Sequence, residues 1–312
     1  MLVSIVVPFY NEEESLKTFY DALTDVVNSQ SDYSFEFVFT NDGSTDGSVE
    51  LLRTLVNVDS RVKIVDLSRN YGKETALIAG MDYASGDAVV LMDADLQHPP
   101  FLISEFLKYW SEGFDDVYAT RRERKGEPFI KKFMSNMYYR VLQSVTEQGV
   151  KVYPHVGDFR LLDRKVVNAL TELREQSRYM KGMYGWVGFK KKEIFYDAEE
   201  RVGGVTKFNF RKLLKLAIDG LTSFTTAPLT VSGYLGAAFA LVGFIYGVII
   251  LIQTLFFGKD VPGFPSIMTA VLFLGGVQLL SLGIIGTYIG KIFKETKNRP
   301  LYFVEEVISD EK

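Results

Sequence analysis

Residues 86–97 read GDAVVLMDADLQ, and this stretch predicts both a class of fold and the place of a ligand site. Its first half is an apolar, β-branched run that indicates a buried strand. Asp93, Asp95 and Gln97 follow directly. Such oxygen ligands at the end of a parallel strand suit a hard divalent cation that also binds substrate phosphates. Because solvated turns contain Asp-x-Asp as well, the motif has to be weighed with the rest of the chain.

Strand and helix patterns alternate through the first half of the chain. Alternation with short loops predicts an α/β fold with a parallel, doubly wound sheet. The predicted strands lie at 2–9, 34–41, 61–68, 86–93 and 114–120. The predicted helices lie at 12–29, 46–56, 73–84 and 99–111.

Two polar loops should share the sheet edge of Asp93. They are Pro8–Glu14 after the first strand and Asn41–Asp46 after the second. Ligands of open α/β sheets bind at this edge, so a nucleotide is expected there. The first strand is not followed by Gly-x-Gly-x-x-Gly, and the chain has no Gly-Lys-Ser/Thr motif. Both absences argue against a dinucleotide site and a P-loop.

The composition excludes several classes of protein. The 312 residues are 47% hydrophobic with a formal charge of -4, which indicates neither disorder nor a nucleic-acid-binding arm. Cysteine is absent, so disulfides, thiolate metal sites and cysteine nucleophiles are excluded. The predicted strand 2–9 begins almost at the first residue, and we expect no signal peptide.

Two uncharged stretches predict transmembrane helices. Residues 220–258 and 261–290 contain no charged side chain, and each exceeds the roughly 20 residues that cross a bilayer. Basic residues flank the pair on both sides, which predicts cytoplasmic termini and a short external loop. Glycines and alanines in both spans would allow the two helices to pack closely.

Two other segments have an apolar stripe at helical spacing with basic residues off it, 129–145 and 208–221. Such a helix just before a membrane span suits the headgroup layer. Each segment could instead pack on the sheet as an ordinary core helix. The sequence leaves both readings open.

A set of ordered motifs resembles a known family. The motifs are Val6–Glu12, Asn41–Asp46, Ser68–Lys73, Asp93–Pro100, Asp158–Arg164 and Arg201–Lys207, followed by the two spans. They resemble family 2 inverting glycosyltransferases. More closely, they are similar to the polyprenyl-phosphate group, which contains bactoprenol glucosyltransferase and dolichol-phosphate mannose synthase. Phe101 departs from the family, which often has an acidic residue there.

The resemblance implies a glycosyltransferase-A fold and a division of the chain. Residues 1–205 would form a cytosolic catalytic domain, 206–226 an interface helix, 227–291 two transmembrane helices, and 292–312 a cytosolic tail. The implied reaction moves a sugar from a nucleotide diphosphate, UDP-glucose or UDP-N-acetylglucosamine, to undecaprenyl phosphate. It would occur at the cytoplasmic face of the inner (plasma) membrane and serve cell-envelope glycosylation. The resemblance also implies a homo-oligomer.

The resemblance also implies roles for individual residues. Asp95 and Gln97 would hold Mg or Mn on the diphosphate, and Asp158 stands where a catalytic base is often proposed. Arg201 and Lys207 would bind phosphate, of the donor or of the lipid. The implied nucleotide-binding residues are Pro8, Tyr10, Glu12, Asp42, which would reach the base, Arg69, and Asp93 on the ribose side.

The chemistry supports a metal and leaves the role of Asp158 open. A departing nucleoside diphosphate needs its charge neutralised, as a divalent cation with Arg or Lys would do. A phosphate acceptor has a second pKa of about 6 and is already ionised near neutral pH. Asp158 could therefore be a base, a positioning group, or the ion-pair partner of Arg160 or Arg164. Lys207 could instead be a surface cation, and His98 is expected to be a loop residue rather than a ligand.

Other functions make different predictions. A processive polysaccharide synthase would carry Gln-x-x-Arg-Trp, but the chain has no Arg-Trp pair and Trp186 follows Gly185. An enzyme of the dolichol-phosphate mannose synthase type would use GDP-mannose. A catalytically silent membrane scaffold would have lost the metal carboxylates, yet Asp93 and Asp95 are both present.

Overall fold

The computed structural model describes residues 1–122, 156–196, 225–257 and 263–310, together with isolated positions 137, 140, 143 and 222. The predicted helix 129–145, the amphipathic segment 208–221 and the motif Arg201–Lys207 therefore lie outside the described ranges. The chain divides into two compact units. The first comprises 1–220 and 299–312, and the second comprises 221–298.

All nine elements that were predicted between residues 2 and 120 are present, and their ends differ by at most three residues. The strands are β1 Leu2–Phe9, β2 Ser34–Asn41, β3 Val62–Leu67, β4 Ala88–Leu91, β5 Asp116–Arg121, β6 Val156–Asp163, β7 Lys191–Tyr196 and β8 Val304–Ser309. The helices are α1 Glu13–Asn28, α2 Ser48–Val56, α3 Lys73–Tyr83, α4 Leu102–Ser111, α5 Arg164–Glu172, α6 Met180–Trp186, α7 Ala227–Phe257 and α8 Phe264–Thr296.

The described strands form one sheet in the order β7-β5-β6-β4-β1-β2-β3-β8. Strands β1 to β4 are parallel neighbours, as predicted. The sheet is nevertheless mixed, because β6 runs antiparallel to both β4 and β5, and β8 runs antiparallel to β3. Buried parallel strands appear as apolar runs, whereas the edge strands β7 and β8 carry charged residues. This difference explains why the edges were not predicted.

Helices cover both faces of the sheet. On one face, buried residues of α1, α2 and α4 form a continuous core with β1, β2 and β6, and Phe19, Phe37, Phe106 and Phe159 are fully buried in it. On the other face α3 packs closely on β1 and β2. A Cβ on Gly80 would come within 2.3 Å of a Val6 side-chain carbon. The two layers bury the strands from both sides and leave their ends accessible.

The predicted tail 292–312 is wrong as a separate segment. Helix α8 continues to Thr296, and β8 adds an eighth strand to the sheet. The stretch just before β8 also makes hydrogen bonds to the rest of the first unit. The carbonyl of Phe303 accepts from the Ser68 amide at 3.0 Å, and the Tyr302 hydroxyl donates to Asp82 at 2.6 Å. The residues after the second apolar helix are therefore part of the sheet domain.

The second unit is an apolar helical hairpin. Ala227–Phe256 and Ile267–Thr296 have mean hydropathies of 2.6 and 2.0, so both are long and apolar enough to cross a membrane. The Oγ atoms of Ser232 and Ser281 are 2.8 Å apart, and the rings of Phe239 and Phe273 meet edge to face at 5.2 Å. Two helices of the predicted kind are present at the predicted places.

The glycines of this hairpin were predicted to let its two helices pack closely. Within one chain, this prediction is wrong. A Cβ added to any described glycine of α7 or α8 would have no heavy atom within 4 Å. The helices meet instead through larger side chains such as Phe239 and Phe273. Close approach at a glycine requires its backbone to face the partner helix, and these glycines do not.

Candidate active site

The reversed strand β6 places Asp158 opposite Asp93. Leu91 at the end of β4 pairs with Arg160, and the two strands are antiparallel. Two residues further along β4 therefore face two residues earlier on β6. This register explains how residues from distant parts of the sequence meet at the edge where β1, β2 and β4 end.

Lys73 links the two carboxylates. Its Nζ lies 2.7 Å from Asp93 Oδ1 and 2.9 Å from Asp158 Oδ2. Burial alone would lower the pKa of Lys73, but the two carboxylates outweigh this and raise it. Burial would likewise raise the pKa of Asp158, yet the Lys73 ammonium lowers it overall. Both groups are therefore charged at neutral pH. Lys73 belongs to a motif that we noted, but its role here was not predicted.

The sequence left open an ion pair of Asp158 with Arg160 or Arg164, and the structure contradicts both pairs. Arg160 points to Asp116, with Nη1 3.1 Å from Oδ2. Arg164 donates to the carbonyl of Gly86 at 2.8 Å. Asp158 is left facing Lys73 and the sheet edge, where only 14% of its side chain is exposed.

Asp95 and Gln97 lie together in a tight turn. Asp95 Oδ1 accepts from the Gln97 amide at 3.1 Å, and Leu96 between them has a positive φ of 57°. Non-glycine residues seldom adopt this conformation, and those that do are concentrated at functional sites. The turn holds the Asp95 carboxylate against the backbone of Gln97, shortly after Asp93 in the chain.

This donor set is compatible with a cation that binds together with a diphosphate. Within the described ranges, no three His, Cys, Asp or Glu side chains are grouped so that they could hold a metal ion by themselves. Mg²⁺ commonly takes one or two protein carboxylates and completes its shell with substrate phosphates and water. Asp95 and Gln97 match that pattern.

The first two loops of the edge are joined to each other. Asn11, with φ 53°, donates its amide to Ser44 Oγ at 3.0 Å and accepts from the Thr45 amide at 2.8 Å. Glu12 donates its amide to Ser48 Oγ at 3.0 Å. Tyr10 is 46% exposed at this place. The predicted residue Pro8 is buried in β1, where it pairs with Thr40 of β2.

Asp42 fixes a neighbouring loop. The side chain is 4% exposed and accepts from the amides of Tyr71 at 2.6 Å and Gly72 at 3.0 Å. Burial raises the pKa of Asp42, although these two amides oppose the shift. The Arg69 guanidinium lies over the ring of Tyr71, 4.2 Å from its centroid. Contact of Asp42 with a base stays a prediction, and the observed contacts hold the loop directly before Lys73.

His98 connects the end of β4 to β6. It is 8% exposed, its Nδ1 accepts from the Asp93 amide at 3.3 Å, and its ring stacks on Phe159 at 4.9 Å. Burial lowers the pKa of His98. The sequence predicted a loop residue beside the site, but only the fold shows that this ring lies between Asp93 and the neighbour of Asp158.

Comparison with known proteins identifies the family. Residues 4–171 match Glycosyl transferase family 2, and residues 227–292 match the GtrB C-terminal hairpin. The chain belongs to glycosyl transferase family 2. The protein is 42% identical to the bactoprenol glucosyl transferase of Shigella phage SfII over 98% of both chains. It is 47% identical to an uncharacterized glycosyltransferase of Synechocystis sp., over 98% of this chain and 95% of that one.

The family assignment confirms the fold class and the presence of the hairpin domain. The mixed sheet of this family 2 glycosyltransferase, with helices on both faces, is a glycosyltransferase-A fold. Of the predicted site residues, the structure gathers Asp93, Asp95, Gln97 and Asp158 at one place. Arg201 and Lys207 lie outside the described ranges.

Substitution of Gly43 tests how tightly its loop packs against the backbone of Arg69 and Asn70. Its φ is +70°, and an added Cβ would lie 2.6 Å from backbone atoms of Arg69 and Asn70. Gly113→Ala is the matched control, because Gly113 has φ +85° but open space around it. The control should lose only the conformational cost, about 1–2 kcal/mol. We expect Gly43→Ala to lower the melting temperature at least twice as much as Gly113→Ala does. Equal losses would contradict the close contact.

Glu74 should make stability depend on pH. Burial, with a further contribution from Asp158, raises its pKa to about 7. The folded state thus holds a proton that the unfolded chain releases near 4.5, so Glu74 reduces stability as the pH rises through this window. Glu74→Gln should raise the melting temperature at pH 8 by roughly 2–4 °C, as about 1 kcal/mol does in a domain of this size.

The same substitution should have little effect at pH 5, where wild-type Glu74 is already protonated in the folded state. Glu14→Gln is a suitable control, because Glu14 is exposed on α1. It should shift the melting temperature equally at the two pH values. An equal gain for Glu74→Gln at pH 5 and pH 8 would exclude titration of Glu74 as the cause.

Proposed function

We propose that this glycosyltransferase moves one hexose from a UDP-sugar to undecaprenyl phosphate and inverts the anomeric carbon. The observation that carries the proposal is the Asp93–Lys73–Asp158 bridge beside the Asp95–Gln97 turn, in a chain that also contains the apolar hairpin. Relatives at 41–42% identity are named bactoprenol glucosyl transferase, which favours UDP-glucose over UDP-N-acetylglucosamine. The product would serve cell-envelope glycosylation.

The nucleoside would bind on the β1–β2 side of the edge. Tyr10 offers an exposed ring for stacking, while the fixed loops of Glu12 and Asp42 form the floor. Arg69, held over Tyr71, places a cation beside this floor. Asp93 would face the ribose from β4.

Asp95 and Gln97 would hold Mg or Mn. When bound, the cation would act as a Lewis acid and neutralise the charge of the diphosphate leaving group. The protein positions the two oxygen ligands through the Leu96 turn, and His98 fixes the backbone of the adjacent Asp93. The Asp95–Gln97 turn is therefore held in place before a nucleotide binds.

Transfer requires an acceptor phosphate oxygen close to the anomeric carbon. A bond forms between this oxygen and the carbon while the bond from the carbon to the diphosphate breaks, and the electron pair leaves with the nucleoside diphosphate. Because the acceptor is largely ionised near neutral pH, a strong base is not required. We propose that Asp158, kept ionised by Lys73, positions cations around the acceptor instead of removing a proton.

The two apolar helices would hold the enzyme in the membrane that contains its lipid acceptor. The cytoplasmic face is proposed because basic residues flank the hairpin on both sides, at Lys212 and Lys215 before it and at Lys291 and Lys294 after it. Nucleotide sugar would then reach the sheet edge from the cytoplasm. We also propose a homo-oligomer, on the strength of the family resemblance.

The reaction and its metal can be tested together. Purified protein, Mn²⁺, UDP-glucose and undecaprenyl phosphate should give a lipid that carries one hexose by mass spectrometry. UDP-N-acetylglucosamine and GDP-mannose should react more slowly. EDTA should stop the reaction, and Asp95→Ala should lower its rate at least 100-fold, about 2.7 kcal/mol of transition-state stabilisation.

Asp21→Ala is the control for this substitution, because Asp21 is an exposed carboxylate on α1 that pairs with Lys17. It should transfer sugar at the wild-type rate. Full activity in EDTA would disprove the metal dependence of the reaction. Polymer chains as the product would indicate a processive synthase.

Membrane topology is a separate prediction. A reporter fused after Lys312 should be active in the cytoplasm and inactive outside, and alkaline carbonate should leave the protein in the membrane pellet. A fusion in the loop between α7 and α8 is the control and should give the opposite reporter result. Release by carbonate would contradict membrane-spanning helices, and an external C-terminus would contradict the proposed orientation.

A further inference from the structure

A small cavity lies on the same face of β6 as Asp158. It is next to Arg160, two residues further along the strand. Asp158 and Arg160 are two residues apart on this strand, so their side chains point to the same face. The cavity volume of about 10 Å³ admits one water-sized group. Its polar lining residues are Asp116, Tyr118, Arg160, Lys181, Tyr184 and Lys191.

The lining carries more positive than negative charge. Asp116 is fully buried and already binds two cations, Arg160 at 3.1 Å and Lys191 at 2.7 Å. Lys181 is a third cation, and no ion pair of Lys181 occurs among the residues that the structure describes. Burial lowers the pKa of Lys181, and the nearby Asp158 opposes this shift. One carboxylate thus faces three cations.

Two buried donors on residues that line the cavity have no hydrogen-bond acceptor within the described part of the chain. Tyr184 and Arg160 are each 3% exposed. In the described part of the chain, the Tyr184 hydroxyl and Arg160 Nε make no hydrogen bond. The Arg160 guanidinium stacks on the Tyr184 ring at 3.5 Å, so both donors are held in place. Unpaired buried polar groups are costly and rare, and here they indicate a missing acceptor atom.

The strand order separates this cavity from the nucleoside side of the edge. β5 and β6 lie on one side of β4, and β1 and β2 lie on the other. Asp93 and Asp158, linked by Lys73, stand between the two sides. A donor nucleotide over β1 and β2 would therefore leave the cavity to the second substrate.

We propose that Arg160, Lys181 and Tyr184 form a binding site for a phosphate monoester, which receives one of its terminal oxygens. The inference rests on the proposed function, in which that monoester is the headgroup of the acceptor lipid. A phosphate dianion offers only acceptor atoms, and the cavity offers donors and surplus positive charge. The room for one water-sized group matches a single phosphate oxygen and excludes a sugar ring.

Lys181→Met tests the site through the two Michaelis constants. It should raise the KM for undecaprenyl phosphate at least tenfold and leave the KM for the nucleotide sugar within about twofold. Lys181→Arg keeps the charge and should restore most of the acceptor affinity. Tyr184→Phe keeps the ring on Arg160, removes one donor, and should raise the acceptor KM about threefold.

Lys165→Met is the matched control. Lys165 is 56% exposed at the start of α5, and its partner Asp115 precedes β5 at the opposite edge of the sheet. Both Michaelis constants of this variant should equal those of the wild type. If Lys181→Met raised the two constants equally, or raised neither while Lys181→Arg behaved as wild type, the proposed site would be wrong.

Inorganic phosphate separates this inference from the proposed function. In the wild type it should compete with the lipid acceptor, and Lys181→Met should weaken this inhibition about tenfold. Inhibition by phosphate that is competitive with the nucleotide sugar, and that is the same in wild type and Lys181→Met, would place the phosphate elsewhere and overturn the proposal. If the wild type transferred no sugar to undecaprenyl phosphate, the proposed function would fail. Thermal stabilisation by inorganic phosphate, lost in Lys181→Met, would still support the site, and its absence in the wild type would refute it.

Discussion

The candidate active site of this protein depends on one ammonium group between two carboxylates. Lys73 contacts Asp93 and Asp158 at 2.7 and 2.9 Å, and it thereby joins α3, β4 and β6. Without this cation the two carboxylates would face each other across the end of the sheet, and one of them would tend to hold a proton. With it, the pKa of Asp158 is lowered, so this carboxylate remains ionised, and the positions of both carboxylates are set before any substrate binds.

This constraint explains why neighbouring loops are held so firmly. Asp42 binds the amides of Tyr71 and Gly72, directly before Lys73, and Gly43 lets the backbone of Arg69 and Asn70 approach. On the other side, His98 accepts a hydrogen bond from the Asp93 backbone amide, and its ring stacks on Phe159, the neighbour of Asp158. The bridge therefore lies between two sets of contacts that fix its carboxylates and its cation separately. Such support is what a preorganised site requires.

The reversed strands account for the rest of the architecture. Because β6 runs against its neighbours, it starts at the edge where the parallel strands end, and it delivers Asp158 there. Strand β8 comes after the apolar hairpin and closes the other end of the sheet beside β3. The chain thus returns to the sheet domain after its apolar segment, and Phe303 contacts the loop that begins at Ser68. Parts that are far apart in the sequence are in this way built into one catalytic unit.

The sequence by itself determined the parallel strands β1 to β4, their helices, the Asp95–Gln97 motif and the two apolar helices. Each of these has a local signal, since apolar periodicity and charge-free length can be read within a short window. The bridge by Lys73, the pairing of Arg160 with Asp116 and the strand β8 were decided only by tertiary structure. Arg160 and Asp116 are 44 residues apart, and Arg53 of α2 and Glu306 of β8 are 253 apart. Ion pairs and edge strands of this kind leave no local pattern, because the partner that makes them favourable is supplied by the register of the sheet.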